Sequence, residues 1–141
     1  MRRSVFHYLI VPALFALTSA ACGDNLTTTP TDTTPPPTTT ETISGTINSN
    51  GGATHTFPVT RSGSVTVTLS ALRPDNTLTI GLSLGTWNGE SCQTVIARDT
   101  TVVGNSIVGS ASAAGTLCIR VYDAAGKLTE PTSYDVQVTH P

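Results

Sequence analysis

The chain has 141 residues, 11% of them charged, and a formal net charge of −2. Its seven Lys and Arg residues form no run beyond Arg2-Arg3. That excludes an electrostatic hold on nucleic acid, which needs clustered cations to displace counterions from phosphate.

Arg2-Arg3 put positive charge at the start. Val5 to Leu17 form an apolar stretch interrupted by His7, Tyr8 and Pro12, and the small residues Ser19, Ala20 and Ala21 follow. This is the layout of a signal peptide over residues 1–21. The apolar stretch is shorter than the about 20 residues a membrane span needs. Residues 1–22 resemble the leaders of bacterial lipoproteins, whose lipobox ends in a small residue and a lipidated Cys, as Ala20-Ala21-Cys22 does. They depart from that pattern at Ser19, where lipoproteins usually carry Leu or another aliphatic. The resemblance implies that Cys22 becomes the first residue and carries palmitate or similar acyl chains. It also implies a membrane partner, and, with Gly23 rather than Asp after the Cys, the outer membrane, at its periplasmic face or the cell surface. Acyl burial at ~0.8 kcal/mol per CH₂ gives an anchor that hardly dissociates. Cleavage by ordinary signal peptidase, leaving Cys22 a free thiol, is the alternative. Loss of Arg2 and Arg3 takes the net charge from −2 to −4.

Residues 22–42 read as a linker. Asp24 to Thr42 is nearly all Thr and Pro, with Asp24, Asp32 and Glu41 the only charges. Pro35-Pro36-Pro37 favours polyproline II, so the segment is expected to be a disordered stalk reaching at most ~60 Å. Such tracts accept O-glycosylation, and a bare spacer is the plainer expectation.

Residues 43–141 alternate apolar and polar side chains at a period of two, the mark of half-buried strands. Ile43, Gly45 and Ile47 share one face. His55, Phe57 and Val59 share the next, where Pro58 suggests an edge or a strand end. Val65, Val67 and Leu69 form a third set, and Leu78, Ile80, Leu82 and Leu84 a fourth. Asn88-Gly89 signals a hairpin into a strand near Cys92–Arg98. Residues 99–114 are ambiguous. Leu117, Ile119 and Val121 oppose Cys118, Arg120 and Tyr122 in a clear strand, and Tyr134, Val136 and Val138 close the series. No segment has helical periodicity. About seven or eight strands, 10–14 residues apart, predict an all-β fold: an antiparallel, jelly-roll-like β-sandwich.

The chain has three cysteines. With Cys22 acylated, Cys92 and Cys118 form an even pair, and an oxidising compartment favours their disulfide. It would close a loop of about 25 residues and contribute roughly 3–4 kcal/mol on the chain-entropy model. Because Cys118 opposes Leu117 and Ile119, the bond is expected to tie its strand to the loop crossing outside it rather than to bridge the two core faces.

The domain resembles the bacterial pre-peptidase C-terminal domain family, β-sandwiches appended to secreted proteases and other surface proteins. The matching stretches are Ile43-Ser44-Gly45-Thr46-Ile47, His55-Thr56-Phe57-Pro58-Val59, Gly63 to Leu69, Leu78 to Leu82, Gly115 to Tyr122 and Tyr134-Asp135-Val136. The resemblance implies a sandwich in an accessory or binding role, and some members bind calcium or polymers. The acidic residues expected before the Leu78 strand are reduced here to Asp75.

Candidate chemistry is sparse. A hydrolytic triad needs a His beside a Ser or Cys nucleophile. Of the two His residues after the leader, His55 lies on a core face and His140 in an end expected to fray. No Gly-x-Ser-x-Gly elbow and no Cys/His zinc spacing occurs. Asp75, Asp99, Asp123 and Asp135 are scattered singly, so no metal site is assigned; they leave calcium open and no other cofactor. Trp87, beside the Asn88-Gly89 turn, and Tyr122, opposite the core face, are the candidate ligand-binding residues. The Ser/Thr ladders (Thr66, Thr68, Thr79, Ser83) read as a polar sheet face. The expectation is a non-catalytic, lipid-anchored binding or structural module. The alternative is an accessory of a secreted hydrolase or export system that recognises protein or glycan.

Overall fold

The computed structural model describes residues 35–141. The predicted signal peptide, Cys22 and most of the linker lie outside them. Eight strands follow in order: β1 (Thr39–Ile47), β2 (Gly52–Val59), β3 (Gly63–Arg73), β4 (Ile80–Trp87), β5 (Cys92–Thr101), β6 (Ser106–Ala111), β7 (Gly115–Tyr122) and β8 (Thr132–His140). No helix occurs among the described residues. Two four-stranded sheets result, β1-β8-β3-β6 and β2-β7-β4-β5. All pairings are antiparallel. Eight strands crossing between two sheets in this order make a jelly roll.

The alternation in sequence decides which side chains meet. Val65, Val67 and Leu69 of β3, with their neighbours Val136 and Val138 of β8, face Ile80 and Leu82 of β4 and Ile119 and Val121 of β7, all 0% exposed. Thr66 and Thr68 stand on the outside of the first sheet and Ser83 on the outside of the second, so the polar ladders belong to different surfaces. Thr79 precedes β4 and belongs to neither.

Three local outcomes differ from the expectation. β1 starts at Thr39, and Thr39 to Thr42 pair with His140 to Gln137. These residues lack apolar alternation, so composition assigned them to the stalk, yet β-branched Thr suits an edge strand. The ambiguous 99–114 stretch resolves into the end of β5, a turn and β6. The β4–β5 hairpin has a four-residue loop, Asn88 to Ser91, rather than a two-residue turn. Asn88 Oδ1 accepts from Glu90 N at 2.9 Å and Ser91 N at 2.7 Å, and Gly89 takes φ 100°. The Asn side chain thus closes the loop as a local acceptor.

His140 is not frayed. It is 6% exposed, its ring lies 5.2 Å from that of Phe57, and its Nε2 lies 3.3 Å from Glu41 Oε1. The β1–β8 ladder runs through this position and holds it.

Candidate functional site

The candidate surface is the outer face of the second sheet. Alternation along β7 puts Cys118, Arg120 and Tyr122 on that face, opposite the buried Leu117, Ile119 and Val121. Register then aligns Tyr122 with Gly81, Arg120 with Ser83 and Cys118 with Gly85 of β4. The central strand therefore contributes only small residues to the middle of the face.

Tyr122 uses the space this leaves. A Cβ on Gly81 would fall within the Tyr122 ring, so the ring lies across β4. Its hydroxyl donates to Asp99 Oδ1 on β5 at 2.5 Å. The Arg120 guanidinium stands 5.5 Å from the ring centroid, within cation–π range. Burial, then the Asp99 hydrogen bond and charge, push the Tyr122 phenol up to about 12, and Arg120 opposes the shift. At neutral pH the phenol is a fixed donor with one arm on a carboxylate. Ser83 is 2% exposed, and its Oγ is buried without a hydrogen-bond partner.

Trp87 shares this face by parity with Gly81, Ser83 and Gly85. It is the last residue of β4 rather than a loop residue, is half-buried, and pairs with Cys92. Six residues separate it from Gly81, about 20 Å at strand rise. Trp87 and Tyr122 thus occupy opposite ends of one face. They form a surface rather than a pocket.

The Cys92–Cys118 disulfide lies between them, with Cα atoms 5.8 Å apart and 26 residues of sequence separation. It joins β5 to β7 across β4, within one sheet and not between the core faces, and the partner of Cys118 is the first residue of a strand rather than part of a crossing loop. Gly85 permits the crossing: a Cβ there would run into the Gln93 carbonyl. The closeness of β5 to β4 follows from the missing side chain.

The four aspartates of the domain, Asp75, Asp99, Asp123 and Asp135, are each engaged by the protein. Asp75 accepts from Thr77 N and Oγ1, which lowers its pKa. Asp135 accepts from Ser44 at 2.6 Å and Arg73 at 2.9 Å and is lowered by both. Asp123, 8% exposed, accepts backbone N–H groups of Asn50, Lys127 and Leu128 at 3.0, 3.1 and 3.2 Å. Burial pushes its carboxyl up, and these N–H donors together outweigh it and lower the pKa. It knots the β1–β2 loop to the β7–β8 loop. Among the described residues no three His, Cys, Asp or Glu side chains gather as a metal would require. His55 Nε2 lies 2.6 Å from the Tyr134 hydroxyl.

Sequence parity located Arg120 beside Tyr122. Nothing in the sequence brought Asp99 there, because β5 lay partly in the ambiguous stretch and its register is broken by bulges.

No protein-family model matches the chain, and no curated protein matches it. A solved structure does: the Yersinia pseudotuberculosis-derived mitogen, at 15% identity and a TM-score of 0.54, over 73% of this chain and 86% of that one. The likeness extends to the all-β sandwich, and it is one of fold.

Proposed function

We propose that the protein is a non-catalytic binding module, lipid-anchored through Cys22 and displayed outside the cytoplasm, whose ligand face is the outer surface of the β2-β7-β4-β5 sheet. The observation that carries this reading is the composition of that surface. A central strand of Gly81, Ser83 and Gly85 lies between half-buried Trp87 at one end and the Tyr122–Arg120–Asp99 group at the other. Aromatic rings with adjoining charged donors and acceptors suit recognition of a sugar or a protein surface. The leader pattern and the disulfide support an extracytoplasmic location. The resemblance to pre-peptidase C-terminal domains fits the same role, and the mitogen of similar fold is named for an effect on cells rather than for a reaction.

The test is a glycan and matrix-protein array probed with the full chain. Binding that falls at least tenfold in both Trp87→Ala and Tyr122→Ala is expected. Binding untouched by both substitutions would move the site elsewhere. Intact mass of membrane-extracted protein checks the anchor: acyl mass on Cys22 is expected, and its absence refutes the lipoprotein assignment. Turnover of an ester, peptide or glycoside substrate, lost in His55→Ala, would overturn the non-enzymatic assignment.

A further inference from the structure

The two sheets present four edges, β1 and β6 in one and β2 and β5 in the other. An edge strand offers unpaired N–H and C=O groups, and proteins blunt it with charge, proline, bulges or covering segments. β2 carries Pro58. β5 has Arg98 and Asp99, and its register shifts where Leu84 and Gly85 face Ile96 and Thr94. β1 carries Glu41. β6, Ser106-Ile107-Val108-Gly109-Ser110-Ala111, has no charge and no proline, and it pairs with β3 without a register shift. Its brevity is its only restraint.

The backbone direction of β6 follows from its pairing. Leu69 N donates to Asn105 O at 3.0 Å, and the regular register continues from there. Alternation then gives the N–H and C=O of Ile107, Gly109 and Ala111 to β3, and those of Ser106, Val108 and Ser110 to the open side. These last three also carry their side chains on the outer face. Val108 is 59% exposed, one of three large apolar residues exposed among the described residues.

We propose that β6 is a pairing edge at which two copies of this chain join antiparallel, about a two-fold axis through Val108, merging their four-stranded sheets into one. The occupant is a second copy because the outward residues are self-complementary. They read Ser-Val-Ser, so a two-fold sets Val108 against Val108 and Ser106 against Ser110 of the second copy. An isologous contact brings each group against its own kind, and here no like charges meet. Three hydrogen-bonded positions exchange about six backbone bonds. A strand this short buries less than the roughly 800 Å² per partner of a standard interface. The dimer is therefore weak in dilute solution and favoured where copies are held together at high effective concentration. This pairing is independent of what the other sheet binds.

Two measurements on the full chain in detergent micelles test it. Val108→Cys is expected to give a disulfide-linked dimer on mild oxidation, whereas Thr42→Cys, exposed on the opposite edge of the same sheet, stays at the wild-type level. Hydrogen exchange at the Ser106, Val108 and Ser110 amides is expected to slow at least tenfold as concentration rises, and Val108→Lys is expected to abolish that slowing while the circular dichroism of the sandwich is retained. Equal cross-linking at both positions overturns the proposal. So do concentration-independent exchange, slowing that persists in Val108→Lys, and protection that appears only when another protein is added.

Discussion

The Tyr134 hydroxyl on β8 lies 2.6 Å from His55 Nε2 on β2, so one hydrogen bond ties the two sheets of the sandwich together. Tyr134 reaches β2 by lying over Gly45, its cross-strand neighbour on β1. The same device recurs outside the core, where Tyr122 lies over its partner Gly81 and reaches Asp99. In each case glycine gives a tyrosine the room to reach a third strand.

Gly45→Ala sets a methyl group inside the Tyr134 ring position and is expected to destabilise the fold by about 1–3 kcal/mol, the usual cost of overpacking. Tyr134→Phe removes only the hydrogen bond and is expected to cost about 1 kcal/mol. Urea unfolding of the two variants measures both; equal, negligible costs would show that the ring is not held where the structure has it.

Stability is expected to fall on both sides of neutrality, from identifiable groups. Burial lowers the His55 pKa below 6.5, so the unfolded chain takes up its proton first, and stability drops as pH falls below about that value. Asp123 and Asp135 are lowered below 3.8 and contribute a further loss at more acidic pH. Tyr122 is raised from 10.0 to about 12, so the unfolded state ionises first and stability declines across that interval. Denaturant midpoints across pH are expected to lose the first acid step in His55→Gln and much of the alkaline loss in Tyr122→Phe.

Asp123→Ala strands backbone donors of Asn50, Lys127 and Leu128. With an unsatisfied buried group costing about 1–3 kcal/mol, a loss of roughly 2–4 kcal/mol is expected. Hydrogen exchange at those three amides is expected to quicken before global unfolding, which separates a local knot from general destabilisation.

Cys92→Ser with Cys118→Ser removes a link across 26 residues. The expected cost is about 3–4 kcal/mol on the chain-entropy model. Because the bond fastens β5, an edge strand, to the interior of its sheet, exchange is expected to rise first along Cys92–Thr101. Thermal unfolding with and without reductant reads the global term.

Period-two alternation made the cores of β3, β4, β7 and β8 legible, because large apolar side chains fill one face of each and chiefly polar or small residues the other. It failed where that contrast fades. Thr39 to Thr42 show no apolar face, and β6 has Gly109 on its core side, where a Cβ would press on Leu84 and Ile96. The disulfide followed from cysteine parity, and its position outside the core from that of Cys118. Tyr122 lies opposite the core face, as alternation along its strand indicated, whereas Trp87, expected beside the hairpin turn as a loop residue, ends β4. The distance between the two depends on register, which no local pattern encodes. Asp99 reached Tyr122 through tertiary pairing alone. His140 was misread because chain position was weighed against it, while the nine-residue β1–β8 ladder decided its burial.

The chain enters the sandwich through β1, in the sheet opposite the one that carries Trp87 and Tyr122. A pull between the preceding residues and anything gripped by that far face cannot run along a single sheet. It enters the β1–β8 ladder and crosses the interior, where Val136 and Val138 meet the second sheet and His55 meets Tyr134. The domain would then yield mechanically at the boundary between its layers, with the Cys92–Cys118 staple keeping the gripped layer whole.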